Sequence, residues 1–309
     1  PPLSCGMQAH WRCRMLFIVL CVPALPRAGA AQTPRGTSAR AALEARHLAD
    51  FADAGITESS GLAASRRHPG ILWTIEDSGA EPVLHATDTT GADLGTWRVT
   101  GAANLDWEAL AIGDCPAGSC LFIGDIGDNR ATRAQVTIYR IAEPDPEAPS
   151  RRTRPATRLA VTYPGGPRDA EAMVVLPGGD LLIVSKSRNS APHLYRVPSG
   201  AWRAPTPARA SDLGPLPIPS GSLADLVTDA ALSPDGRRVA IRTYASIYFF
   251  RLDGGYRLSA DAAVPACGIF GIEPQGEGLA WLDATHLVTS SEDNFGLRGG
   301  LGLVRCEGS

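Results

Sequence analysis

The chain lacks the short signatures that assign a reaction by inspection. No G-x-S-x-G occurs, which excludes the nucleophile elbow of an α/β-hydrolase. The six histidines (His10, His47, His68, His85, His193 and His286) show no H-E-x-x-H and no paired spacing. There is no Walker loop, no G-x-G-x-x-G and no C-x-x-C pair, so the usual phosphate cradles and a thiolate zinc site are also missing. A formal net charge of −3 without a basic stripe argues against a nucleic-acid polymer as partner. The longest apolar run, Met15 to Leu25, is too short to span a membrane.

What is present is a chain of 309 residues, 44% hydrophobic, with 33 Gly and 25 Pro spread along it. That length supports one sizeable core or two small ones, and such punctuation suits many short strands joined by turns. Arg12 and Arg14, the run Met15 to Leu25 and the small residues Ala28-Gly29-Ala30 together read as an export signal, with Met7 or Met15 as the start. The expected organisation is a signal peptide over residues 1–30, a flexible leader over 31–44 and a single domain over 45–309. The mature chain then has no membrane span and lies in the periplasm or outside the cell; a retained N-terminal anchor is the alternative. Of seven cysteines, Cys115, Cys120, Cys267 and Cys306 lie beyond the signal. An even number in an exported chain implies two disulfides. Cys115 and Cys120 flank the turn Pro116-Ala117-Gly118-Ser119 and are expected to pair, which leaves Cys267 with Cys306.

A repeat of roughly fifty to sixty residues organises the domain, close to known propeller repeats of the WD40-like kind. Ser60-Gly61-Leu62-Ala63-Ala64, Glu108-Ala109-Leu110-Ala111-Ile112, Glu171-Ala172-Met173-Val174-Val175, Thr228-Asp229-Ala230-Ala231-Leu232 and Glu277-Gly278-Leu279-Ala280-Trp281 share one pattern. Each begins with an oxygen-bearing residue and runs into an apolar stretch. A turn follows, then second and third β-rich runs such as Leu181-Leu182-Ile183-Val184 and His193-Leu194-Tyr195-Arg196-Val197. Fourth strands are expected around Thr96 to Thr100, Arg158 to Tyr163, Ala208 to Leu213 and Leu258 to Val264. The fifth repeat lacks one, and His47 to Ala52 has the character to supply it. The expected fold is therefore an all-β propeller of five four-stranded blades closed by an N-terminal strand. Six blades, one of them degenerate, is the alternative.

First strands of propeller blades line the central channel. The repeat register places Ser60, Glu108, Glu171, Thr228 and Glu277 at one level, with Asp229 competing for the fourth position if that strand bulges. Two residues upstream stand Glu58, Asp106, Asp169, Leu226 and Gln275. Converging carboxylates demand a counter-charge, and a hard cation accepting six to eight oxygens answers that demand. Calcium held by Ser60, Glu108, Glu171, Thr228 and Glu277 is the expected cofactor; sodium, magnesium or a solvated acidic channel are the alternatives. Lys186, Arg188 and Arg242 are expected in loops on the same end. Carboxylate and cation together suit a small anionic substrate such as a phosphate ester: Asp106, Asp169 or Glu58 would position water, and the three basic residues would hold the phosphate.

The order hydroxyl, Glu, Glu, hydroxyl, Glu in these strands, with Asp106-Trp107-Glu108-Ala109-Leu110-Ala111 and Gln275-Gly276-Glu277-Gly278-Leu279, resembles the calcium-activated nucleotidases, apyrases with a five-bladed propeller. The resemblance implies one calcium in the channel and hydrolysis of nucleoside di- and triphosphates, with Thr228 where that family commonly has serine. It covers these short strands and not the loops that would select a nucleotide. The chain also resembles exported bacterial phytase-like propellers, which have six blades. The expected function is a calcium-dependent hydrolase of phosphate esters or anhydrides. A binding or scaffold propeller without turnover is its rival, and lactone or ester hydrolysis at the same metal is a third reading.

Overall fold

The computed structural model describes residues 40–204, 207–255, 257–260, 266–269 and 271–307. The expected export signal and residues 31–39 of the leader lie outside them. Strands β1 (Arg40–Ala41) and β2 (Glu44–Asp50) precede the first blade. Blade one is β3 (Ser59–Ala64), β4 (Leu72–Glu76), β5 (Val83–Thr87) and β6 (Gly95–Arg98). Blade two is β7 (Trp107–Cys115), β8 (Gly118–Asp125), β9 (Val136–Ala142) and β10 (Thr157–Thr162). Blade three begins with β11 (Ala170–Val175), β12 (Leu181–Ser185) and β13 (His193–Val197); after β14 (Ala208–Arg209) it is completed by β15 (Ser211–Pro215). Blade four is β16 (Val227–Leu232), β17 (Arg238–Thr243) and β18 (Ser246–Leu252), with β19 (Leu258–Ala260) and β20 (Cys267–Gly268) both pairing β18. Blade five is β21 (Gln275–Trp281), β22 (Leu287–Glu292), β23 (Gly300–Arg305) and, from the other end of the chain, β2.

The first strands contact one another in the order β3, β7, β11, β16, β21 and back to β3, so five sheets close into a ring, and the described residues form no sixth blade. Closure comes from β2, which runs antiparallel to β23 from Glu44 opposite Arg305 to Asp50 opposite Gly300. The fold is a five-bladed β-propeller. Second strands are sandwiched between neighbouring blades, which is why β4 and β12 are buried along their whole length while the outer strands β2 and β10 are half exposed. Successive residues of a first strand pack into different neighbours: Leu62 joins the core with Ala280 and Val288 of blade five, and Ala63 joins Leu110 and Ile123 of blade two.

The expected fourth strand over Ala208 to Leu213 divides in two. Ala208–Arg209 crosses to pair in parallel with β10 of blade two, and only from Ser211 does the chain pair β13. Ala210, buried at the junction and hydrogen-bonded through its N–H to Thr162 O, forces the division by packing into the core between these blades. Of the expected Leu258 to Val264, Leu258–Ala260 forms β19 and the remainder lies outside the described residues. Both expected disulfides are present. Cys115–Cys120 clamps the β7–β8 hairpin, and Cys267–Cys306 ties the outer edge of blade four to the end of β23. Arg40–Ala41, in the stretch read as leader, pairs in parallel with that same edge. No helix among the described residues is long and apolar enough to cross a membrane.

Candidate metal centre

Every first strand breaks its pairing register once, at the same point of the repeat. The breaks fall between Ser59 and Gly61, Trp107 and Ala109, Ala170 and Ala172, Val227 and Asp229, and Gly276 and Leu279. The residues left out of the ladder are Ser60, Glu108, Glu171, Thr228 and Glu277 (with Gly278). A regular residue of a first strand faces a neighbouring blade; a β-bulge re-aims one side chain per strand. All five are buried, none more than 5% exposed. Thr228 rather than Asp229 occupies the fourth bulge. Asp229 lies in register opposite Arg242 and accepts N–H bonds from Ala230 at 2.8 Å and Leu279 at 2.7 Å, and its complete burial pushes its pKa far up.

Within the ring, Ser60 Oγ donates to Glu108 Oε2 at 3.1 Å. Glu277 Oε1 accepts from Tyr244 Oη at 3.1 Å and from Gln275 Nε2 at 2.9 Å, and Gln275 Nε2 also donates to Glu292 Oε2 at 2.6 Å. Thr228 Oγ1 is buried without a hydrogen-bond partner. The counter-charge on this side is Lys186: its Nζ lies 2.9 Å from Glu171 Oε1 and 5.5 Å from the Tyr244 ring centre. Lys186 is the single lysine of the chain. Burial alone would depress its ammonium, but Glu171, Tyr244, Glu277 and Glu108 raise its pKa well above the ordinary value. Burial pushes Glu171 up to about 8 against the pull of Lys186, and pushes Glu108 well up, with the Glu171 charge adding to it. Glu292 is pushed to about 10 by burial and by Glu277, Asp77 and Glu58.

A second group of carboxylates lies beside the ring, toward blades one and two. Oxygens of Asp77, Asp106 and Glu108 lie within 4.8 Å of one another. Asp77 follows β4, and Asn104 fixes its backbone by donating to Asp77 O at 2.7 Å and Glu76 O at 3.0 Å. Asp106 stands immediately before β7. Gly127 closes the group from below: a Cβ there would lie 2.5 Å from Asp106 Oδ2 and 2.6 Å from Glu108 Oε1. Arg133 holds that loop by donating to Gly127 O and Asp125 Oδ1, each at 2.7 Å. Burial, then Asp77 and Asp169, raise Asp106 to about 6. Asp169, raised by burial, accepts the Asp128 N–H at 2.8 Å. An all-oxygen donor set packed against a glycine fits a hard cation such as calcium.

The remaining expected site residues lie in different settings. Arg242 is fully buried; it pairs with Glu273 and donates to Gly278 O at 2.8 Å, bracing blade four against blade five. Arg188 is exposed, and its charge acts on Asp169. Glu58 is exposed on the rim. Asp77, in the loop after β4, is a site residue that the repeat register does not reveal. The uniqueness of Lys186 among 29 basic residues was an available signal. The opposite end of the channel holds a cavity of about 550 Å³ lined from Leu62, Leu110, Met173, Ala230 and Leu279 onward, two positions beyond the five bulges. It is lined by none of the ring carboxylates.

Neither a family model nor a curated protein matches the sequence. Among solved structures the chain is similar to the PQQ-bound aldose sugar dehydrogenase from Streptomyces coelicolor, at 12% identity over 85% of this chain and 97% of that one, with a TM-score of 0.48. It is also similar to XC5397, a gluconolactonase from Xanthomonas campestris, at 16% identity over 89% of this chain and 99% of that one, with a TM-score of 0.44. Neither is an apyrase or a phytase, and likeness at this level carries nothing about chemistry.

Proposed function

We propose that the chain is an exported propeller that binds calcium at Asp77, Asp106 and Glu108 and hydrolyses phosphate esters or anhydrides. The observation that carries this reading is the convergence of the Asp77, Asp106 and Glu108 carboxylates, the last two packed against the side-chain-free Gly127. The two disulfides support an oxidising compartment. Ser60, which already bonds Glu108, and Thr228, with its unpartnered hydroxyl, would support the site through water. Glu171 and Glu277 belong to the half of the ring that Lys186 serves. A bound calcium would supply positive charge against which phosphoryl oxygens and a water are oriented. Asp169 is held by the Asp128 N–H beside the cluster and would orient that water and take its proton; Glu58 lies further out on the rim. Arg188, exposed next to Asp169, would hold the anionic group.

The rival reading is a scaffold with a structural metal and no turnover. The pairings Lys186–Glu171 and Arg242–Glu273 favour it, because they commit two of the three expected phosphate-binding cations to internal carboxylates. Thermal unfolding in EDTA and then in calcium, followed by a panel of phosphate esters and anhydrides, separates the readings. Calcium at a hundredfold excess over its dissociation constant should add about 2.7 kcal/mol of stability. D169N should keep that gain and lower turnover about a hundredfold. A calcium gain with no turnover on any phosphate substrate would establish the scaffold; no gain would remove the metal from both readings.

A further inference from the structure

The channel mouth displays an aromatic ring whose position folding does not require. Phe295 lies at the tip of the β22–β23 loop, 75% exposed, with φ at 52°. Gly296 follows at φ 77°, and Asn294 and Leu297 exchange backbone hydrogen bonds at 3.1 and 2.8 Å, so both central residues of this hairpin turn are left-handed. Asparagine or glycine suits the first of those positions, whereas a bulky side chain is disfavoured there. Phe295 gains no burial in return.

The turn is wired to the carboxylates. Asn294 Nδ2 donates to Gln275 Oε1 at 2.6 Å, and Gln275 in turn holds Glu277 and Glu292. The Asp293 N–H donates to Thr57 O at 2.8 Å, next to Glu58. On the far flank, the Asn104 bonds to Asp77 and Glu76 bring Leu105, 66% exposed, beside Asp106. Phe295 and Leu297 are thus exposed on the turn tied through Gln275 to Glu277 and Glu292, and the Glu292 carboxyl feels the charge of Asp77; Leu105 is exposed on the approach to blade two.

We infer that Phe295 is a binding residue for a flat or apolar ring carried by a ligand whose anionic head engages the metal centre. The ligand class is a ring-bearing organic anion, as opposed to an inorganic or short-chain one, because an aromatic face at the rim contacts the part of a ligand that remains outside while its head enters. The inference rests on the calcium-dependent phosphate reading above and narrows its substrates.

The test is isothermal titration of the calcium-loaded full chain with phenylphosphonate and with methylphosphonate. The wild type should bind phenylphosphonate about threefold to tenfold tighter, the scale of one aromatic contact. F295N, whose asparagine suits left-handed backbone, should keep the calcium-induced rise in Tm and bind methylphosphonate as before, yet lose the preference; F295Y should retain it. Equal binding of the two probes by the wild type, or a preference that survives F295N, overturns the inference and leaves the phosphate reading standing. Binding of neither probe overturns both.

Discussion

Lysine and arginine are not interchangeable at the centre of the ring. An ammonium is a compact point charge on a flexible stem, whereas a guanidinium needs a planar fork of acceptors. In a chain otherwise dependent on arginine, the one lysine is the residue placed against Glu171. K186M would leave that carboxylate buried without its partner. Because burial holds Glu171 at about 8, the loss of stability should be small at pH 5, where the carboxyl is protonated, and should grow by about 1.4 kcal/mol by pH 9, one pH unit past its titration. Urea unfolding of both proteins across that range checks it; a loss independent of pH would mean that Lys186 acts by packing alone. Gly127 makes a different demand. G127A would press a methyl group onto Asp106 and Glu108, so calcium affinity should fall about tenfold or more, read by calcium titration. An unchanged affinity would place the ion elsewhere in the channel.

At the scale of strands, the two disulfides differ in what they restrain. Cys115–Cys120 has a sequence separation of 5 and closes a hairpin that β7 and β8 already define; Cys267–Cys306 has a separation of 39 and joins two blades. Chain entropy makes the second the more stabilising. C267S/C306S should therefore lose about 2–4 kcal/mol in denaturant unfolding, and C115S/C120S distinctly less. The same scale explains what could be read from the amino acids. The spacing of Ser60, Glu108, Glu171, Thr228 and Glu277 was visible because each opens an apolar run, and the need of the last sheet for a donated strand followed from counting. The bulges were not visible, since a residue drops out of register only relative to the strand beside it. Asp77 reaches Asp106 through a contact between loops of adjacent blades, which no local pattern encodes. Arg242, at the end of β17, looked like a mouth residue because the Glu273 that buries it lies thirty-one residues on.

For the molecule as a whole, the acidic mouth sets the response to pH. Asp106 at about 6, Glu171 at about 8 and Glu292 at about 10 all hold protons more tightly folded than unfolded, where carboxyls titrate at about 4. Between those limits the folded state binds the more protons, so stability declines as pH rises. In EDTA the Tm should be higher at pH 5 than at pH 9. Calcium should flatten that decline and release protons on binding, because it takes their place on the carboxylates. A Tm that climbs with pH in EDTA would contradict the burial of these groups.

The pairing of β2 with β23 also fixes when the molecule can be finished. Glu44 is among the earliest residues of the domain to be synthesised, and its partner Arg305 is among the last. Blades one to four can gather as they emerge, but β2 waits unpaired until β23 has been made. A chain cut short in its fifth blade would keep two open sheet edges, the surfaces on which strands of separate molecules pair. Closure of the ring is thus a late event in the folding of this domain, and a product truncated before β23 would announce itself by aggregating.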